Sequence, residues 1–200
     1  PETNNYISLS GEYVNSWINI SANVYSNWFR NKIEGMWSND QTELHYVNIG
    51  KSRLAGVETM CKIQINRHIN VHGAYNYLYT SKDADGVRLS SSSPHSGNIR
   101  AEYNTRIPRY ATVVNLSGNI MGKKKFDVLD ELEIDGKKVE AYYQAKVTPY
   151  CLWDLTVSQY IMQNLRITAG ITNLFDYTSD RVTFNTSTSP GRNYFIACNY

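Results

Sequence analysis

Four histidines, His45, His68, His72 and His95, are the side chains of this sequence best suited to metal ligation or proton transfer near neutral pH. Of the histidines only His68 and His72 stand at a ligand-pair spacing from one another, four apart. That pair lies across and just after an expected turn, so it does not form two ligands on one helical face. His45 and His95 fall near long connections, where either could touch a haem or a metal chelate; a solvated rim residue is the plainer role. Trp37, Tyr142, Tyr143 and Tyr177 offer flat surfaces for a planar or hydrophobic solute, and serve equally well as interfacial aromatics. The candidates for ligand binding are therefore His45, His95, Trp37 and Tyr143.

Other chemistry is harder still to find. The acidic stretch Asp127, Asp130, Glu131, Glu133, Asp135 and Glu140 lacks the Asp-x-Asp-x-Asp-Gly spacing of a calcium loop. Its centre, Glu133 to Val139, reads as a β-hairpin whose tip Asp135-Gly136 supplies the positive φ of a two-residue turn. Ser90 to Ser93 have no Gly-x-Ser-x-Gly context and read as a loop. Cys61, Cys151 and Cys198 are far apart, form no C-x-x-C pair and each occupy an apolar position of an alternating run, where a thiol behaves as a small hydrophobe. The net charge of +2 leaves no basic stripe for nucleic acid, and Lys123 to Lys125 is a short solvated tip. No catalytic residues, metal site or cofactor are expected, and the chain is not read as an enzyme.

The elements that carry these residues are strands. Period-two alternation runs through the chain: Ile18, Ile20, Ala22 and Val24 oppose Asn19, Ser21, Asn23 and Tyr25, and Val57, Thr59, Cys61, Ile63 and Ile65 oppose Glu58, Met60, Lys62 and Gln64. Ile69, Val71, Gly73, Tyr75, Tyr77 and Tyr79 oppose Asn70, His72, Ala74, Asn76 and Thr80. The pattern returns over 112–121, 149–160, 165–172 and 194–200, giving about nine strands, most of ten residues or more. Soluble strands are usually about 5–6 residues. Tight connections (Asn15-Ser16, Asn66 to His68, Ile107 to Arg109, Met162 to Asn164) alternate with long ones (35–44, 83–95, 126–146, 178–191). Outer-membrane barrels sort their loops in this way, with turns at the periplasmic rim and long loops outside. The mean hydropathy of −0.46 does not argue against a membrane, because lumen and lipid positions cancel in any average.

Aromatic residues collect at the strand ends. Trp17, Tyr110 and Tyr160 sit beside tight turns, and Trp28, Phe29, Trp37, Tyr79, Tyr143, Trp153, Phe175 and Tyr177 lie toward the long loops, as two interfacial girdles would require. An odd number of strands cannot close an antiparallel bacterial barrel, and two open edges in lipid are costly. The sequence also opens Pro-Glu-Thr-Asn-Asn, with no initiator Met and no signal segment. It is expected to begin partway through a longer protein.

Several short motifs share one resemblance. Tyr46 to Glu58, with Asn48, Gly50, Ala55, Gly56, Val57 and Glu58, is similar to the Asn-x-Gly-x-Ala/Ser…Gly-Val/Ile-Glu strand of TonB-dependent receptors. Leu152-Trp153-Asp154-Leu155 resembles their penultimate descending strand, and Asn173-Leu174-Phe175-Asp176 followed by Pro190-Gly191-Arg192-Asn193-Tyr194 resembles their closing signature. Pro1-Glu2-Thr3 and Pro94-His95-Ser96 match further strand openings in the same order. Locally these motifs read as architecture: glycines relieve a long strand, Asn173 and Asp176 bond nearby backbone amides, and Glu58 points to the lumen by parity.

The resemblance implies an all-β fold, an antiparallel transmembrane barrel of about 22 strands, of which residues 1–200 are the last nine. An N-terminal plug and a TonB-contacting segment would lie upstream. It implies TonB-dependent uptake of a scarce nutrient (an iron–siderophore, haem or cobalamin) across the outer membrane of a Gram-negative bacterium. The partners are then outer-membrane lipid, TonB and a small ligand such as a metal chelate. The competing readings are a smaller outer-membrane barrel and a soluble β-sandwich acting as a binding module.

Overall fold

The computed structural model describes residues 1–37, 44–48, 51–81, 93–107, 110–134, 137–161, 164–178 and 191–200. They form thirteen strands and no helix: β1 (Thr3–Val14), β2 (Ile18–Arg30), β3 (Ile33–Trp37), β4 (Leu44–Asn48), β5 (Lys51–Gln64), β6 (Ile69–Thr80), β7 (His95–Ile107), β8 (Tyr110–Met121), β9 (Lys124–Ile134), β10 (Lys137–Val147), β11 (Tyr150–Ile161), β12 (Leu165–Thr172) and β13 (Asn193–Asn199). Nine of them make one sheet in the order β1-β2-β5-β6-β7-β8-β11-β12-β13, and every pairing is antiparallel. The two remaining pairs, β3–β4 and β9–β10, are separate hairpins inserted after β2 and after β8. Two of the long connections read from the sequence, 35–44 and 126–146, therefore contain paired strands. The hairpin expected at Glu133 to Val139 is present, with Ile134 opposite Lys137; the tip at Asp135-Gly136 lies outside the described residues.

The sheet strands β1 to β11 run 12 to 14 residues. At about 3.4 Å per residue a strand of that length is roughly 40 Å long. Tilted by about 45°, it rises roughly 28 Å, the height of a hydrocarbon core. Two tight turns are closed in the same way. Asn15 Oδ1 accepts hydrogen bonds from the amides of Trp17 (2.9 Å) and Ile18 (3.0 Å). Asn66 Oδ1 accepts from those of His68 (2.8 Å) and Ile69 (2.9 Å). Each Asn reverses the chain with its own side chain, which is why so few residues suffice.

Cross-strand register divides the described side chains of the nine-stranded sheet between two sides. Ser21, Asn23, Glu58, Asn76 and Asn98 share one side, and this side lines a concavity of about 890 Å³. The opposite, convex side carries Ile7, Leu9, Ile20, Val24, Val57, Val71, Ile99, Leu116, Leu155 and Ile196. The two sets divide as the alternation in the sequence predicts.

No second layer covers the apolar side: among the described residues each strand packs substantially only on its hydrogen-bonded neighbours, and no side chain is fully buried. Leu9 is 79% exposed and Ile196 81%. A β-sandwich buries that side against another sheet, so the sandwich reading is overturned. The apolar side calls for an apolar neighbour, since leaving it in water forfeits the hydrophobic stabilisation that a buried core supplies.

Candidate functional site

The polar concave face is where a solute or a second polypeptide would meet the sheet. It is built from alternate residues of seven adjoining strands, which the antiparallel register aligns in rows. One row reads Glu12, Ser21, Met60, Ala74, Asn98, Asn119 and Leu152; the next reads Ser10, Asn23, Glu58, Asn76, Ser96, Met121 and Tyr150. Neighbouring strands are cross-braced. Asn19 Nδ2 donates to Glu12 Oε1 (2.9 Å), and Asn23 Nδ2 donates to Glu58 Oε2 (3.3 Å). Arg100 donates from Nε and Nη2 to Asn115 Oδ1 (3.2 and 2.9 Å) and pairs with Glu102 at 3.3 Å. Lys62, His72 and Arg100 are consecutive cross-strand neighbours, two cations flanking an imidazole in a face that is otherwise mostly amides and hydroxyls.

Several acceptors on this face, Asn27 Oδ1, Ser52 Oγ, Asn76 Oδ1 and Asn104 Oδ1, have no protein partner although they are shielded from solvent. The described residues hold no group of three or more His, Cys, Asp or Glu that could bind a metal ion. The face is thus equipped for solvation and hydrogen bonding.

The three histidines with described side chains fall into three different settings. His68 belongs to the tight-turn rim: its Nδ1 lies 2.7 Å from the Asn104 carbonyl, and Arg67 Nε donates to its Nε2 at 2.8 Å. Those bonds require the Nδ1–H tautomer and make His68 a clasp between β6 and β7. His72 faces the concavity between Lys62 and Arg100. His95, one of the ligand candidates, opens β7 on the convex side. Its Nδ1 is 2.7 Å from Tyr75 Oη, and its ring lies 6.1 Å from Tyr75 and 5.1 Å from Tyr77. The other candidates sit on the two hairpins: Trp37 pairs with Leu44, His45 with Met36, and Tyr143 with Val128 along the backbone. The side chains of Trp37, His45 and Tyr143 lie outside the described residues.

Aromatic placement needs one correction. Trp28, Tyr79, Tyr110 and Trp153 stand on the convex side, as a girdle requires. Phe29 and Tyr160 do not: each is one residue out of phase with that side and faces the concavity, where Arg166 lies over the Tyr160 ring at 5.9 Å. Proximity to a strand end could not distinguish these cases; parity could.

The segment after β12 is tied into a knot. Asn173, only 5% exposed and at φ 51°, receives Tyr177 N–H on Oδ1 (2.8 Å) and donates from Nδ2 to the Tyr177 carbonyl (2.8 Å). Its own amide donates to Asp154 Oδ1 at 2.9 Å. Asp176, at φ 56°, accepts from the Arg192 amide at 2.7 Å, joining the start of β13 to the end of β12. The Arg192 guanidinium is held above its ordinary range, first by its hydrogen bond to Tyr194 and also by Asp176 nearby. Tyr177 stacks on Tyr150 with centroids 4.9 Å apart. The Asn-Leu-Phe-Asp motif and Gly191-Arg192 are therefore two halves of one structural fastening. Cys61, Cys151 and Cys198 are unpaired and all face the convex side, as small apolar residues.

Comparison with known proteins agrees with this architecture. The chain superposes over its whole length on the ferripyoverdine receptor of the outer membrane of Pseudomonas aeruginosa (TM-score 0.72, 18% identity, 27% of that chain). It does so equally on the siderophore receptor PirA from Acinetobacter baumannii (TM-score 0.72, 17% identity, 32% of that chain). The copper transporter OprC is similar as well (TM-score 0.75, 14% identity, 100% of this chain and 31% of that one). The chain thus spans between 27% and 32% of the length of these structures. No curated protein matches the sequence. The sequence model described as "TonB dependent receptor-like, beta-barrel" matches residues 1–174. With its single two-faced sheet and that match over most of its length, the chain belongs to the TonB-dependent receptor family and forms part of the family's β-barrel.

Proposed function

We propose that residues 1–200 are the C-terminal part of the barrel of an outer-membrane receptor that imports a scarce metal chelate, an iron–siderophore before haem or cobalamin. The observation that carries this reading is the division of one sheet into a largely apolar convex side and a polar, cross-braced concave side. Such a two-sided wall suits a boundary between lipid and a water-filled lumen. The names of the similar structures, two of which are siderophore or ferripyoverdine receptors, favour iron chelates; OprC keeps copper as the second reading. A plug and a TonB-contacting segment would lie outside residues 1–200, and TonB would couple uptake to the inner-membrane proton gradient.

In this account the shielded, unpartnered acceptors of Asn27, Ser52, Asn76 and Asn104 receive water or groups of the plug. Trp37, His45 and Tyr143, carried on the two inserted hairpins, are the proposed ligand contacts. His95 is assigned to the interfacial belt with Tyr75 and Tyr77. The test is uptake by a Gram-negative strain lacking the full-length gene, supplied separately with radioiron as a siderophore complex, haem, cobalamin or a copper salt. Loss of siderophore-iron uptake, restored by the gene only when TonB is present, is the expected result. Unchanged uptake of all four would overturn the reading.

A further inference from the structure

The concave face is mostly amides, hydroxyls and charged groups, but its long-loop end carries an aromatic corner. Tyr150 opens β11, Met121 closes β8 and Ser96 is the second residue of β7, and the three are consecutive cross-strand neighbours. Leu152 and Asn119 face each other in the adjoining row. All five line the concavity. A ring, a thioether and a leucine thus meet where the wall reaches its long-loop rim, with an amide and a hydroxyl beside them.

Tyr150 is backed by a second ring. Tyr177 lies against it with centroids 4.9 Å and planes 13° apart, a near-parallel stack. Asn173 holds Tyr177 by its amide and its carbonyl, both at 2.8 Å. The Tyr177 hydroxyl is shielded and has no hydrogen-bond partner, so the backbone bonds and the stack, not a bond at its tip, place this ring. Tyr150 lines the concavity and Tyr177 does not. The knot after β12 therefore supports Tyr150 from one side and leaves its remaining surface to the concavity. A ring held in advance loses little freedom when another group settles on it. Flat rings stack well on such a surface, a thioether beside it adds a favourable sulfur contact, and the nearby amide and hydroxyl can orient polar substituents.

We propose that Tyr150, backed by Tyr177 and flanked by Met121 and Leu152, is a stacking subsite for a flat aromatic group of the solute. The imported chelate then carries aromatic rings, as a catecholate does and a linear aliphatic hydroxamate does not. This inference rests on the uptake of a metal chelate proposed above and narrows its chemical class. The long-loop rim is where a solute arriving from outside would first meet the wall, so the subsite acts in capture.

The test uses the full-length receptor in detergent, with calorimetric titration of two probes: a synthetic tris-catechol amide and a linear aliphatic tris-hydroxamate, each loaded with Fe(III). The wild type is expected to bind the tris-catecholate. Tyr150→Leu, which keeps apolar bulk but removes the ring, is expected to weaken that binding about tenfold, and Tyr150→Ala at least as much. Tyr150→Phe, which keeps the ring, is expected to stay within about twofold of the wild type, and Tyr177→Ala, which removes only the backing, to lose about threefold. Equal affinity of the wild type and Tyr150→Leu for the tris-catecholate would overturn the proposal. So would equal losses for both chelates, which would make Tyr150 a support for the plug or the loops. Binding and uptake of the tris-hydroxamate alone would overturn this inference and leave the uptake reading standing. Uptake of no chelate at all would overturn both.

Discussion

Tyr25 and Gly56 face one another across β2 and β5, and the tyrosine ring lies where a β-carbon on residue 56 would have to go. Such a carbon would sit 2.5 Å from Tyr25 Oη and 2.6 Å from the Tyr77 carbonyl oxygen. The arrangement recurs on the other side of the sheet, where a β-carbon on residue 118 would meet the Trp153 ring at 2.9 to 3.0 Å, and again where Phe195 covers Gly170. An aromatic ring laid over a cross-strand glycine restores the packing that the glycine lacks and pins the register of two long strands.

Gly56→Ala is therefore expected to destabilise the folded receptor by about 1–3 kcal/mol, the usual cost of forcing volume into a packed site. Gly11, where an added β-carbon meets nothing within 4 Å, is the control. The midpoint of urea unfolding in lipid vesicles should fall for Gly56→Ala and hold for Gly11→Ala. Equal midpoints would remove the packing role given to Tyr25.

The facing of β6 yields a second expectation. Val71 is on the convex side and His72, its neighbour in the chain, is in the concavity. Val71→Arg should cost about 2–4 kcal/mol in a bilayer, as a cation near the midplane does, while His72→Arg should cost well under half of that. Unfolding free energies of the two variants in the same vesicles decide the matter, and matching losses would contradict the assigned sides.

A third concerns the knot after β12. Asn173→Ala removes both bonds to Tyr177 and leaves at positive φ a residue that tolerates the left-handed region less well than Asn; the sum is about 2–4 kcal/mol. Asn173→Gly keeps the backbone angle and should lose less. Asp154→Asn retains an oxygen for the Asn173 amide and should be mildest of the three. Resistance of the folded band to heating in detergent electrophoresis should rank the variants in that order.

Much of this fold can be read along the chain, because each strand reports its own two faces by alternation. Ile18, Val71 and Leu155 separate from Asn19 and His72 without any knowledge of neighbours, and about nine strands follow from counting such runs. The fastening roles of Asn173 and Asp176 were also legible, since short polar side chains at a strand end bond locally. What alternation does not carry is who sits beside whom. Tyr25 over Gly56 and Tyr150 beside Met121 depend on register between strands far apart in sequence. The girdle assignment of Phe29 and Tyr160 failed because nearness to a strand end was used where parity decides. Trp37, His45 and Tyr143 belong to inserted hairpins, whose pairing the local pattern showed only at the tip around Asp135-Gly136.

The most direct test of the two-sided wall is a spin-label scan of β2 in the full-length receptor, with Cys61, Cys151 and Cys198 replaced by alanine and reconstituted into bilayers. Labels at positions 18, 20, 22 and 24 should be relaxed by oxygen, which concentrates in hydrocarbon, and labels at 19, 21 and 23 by a water-soluble nickel chelate. A profile without that two-residue alternation, or with the two relaxants exchanged, would contradict the account.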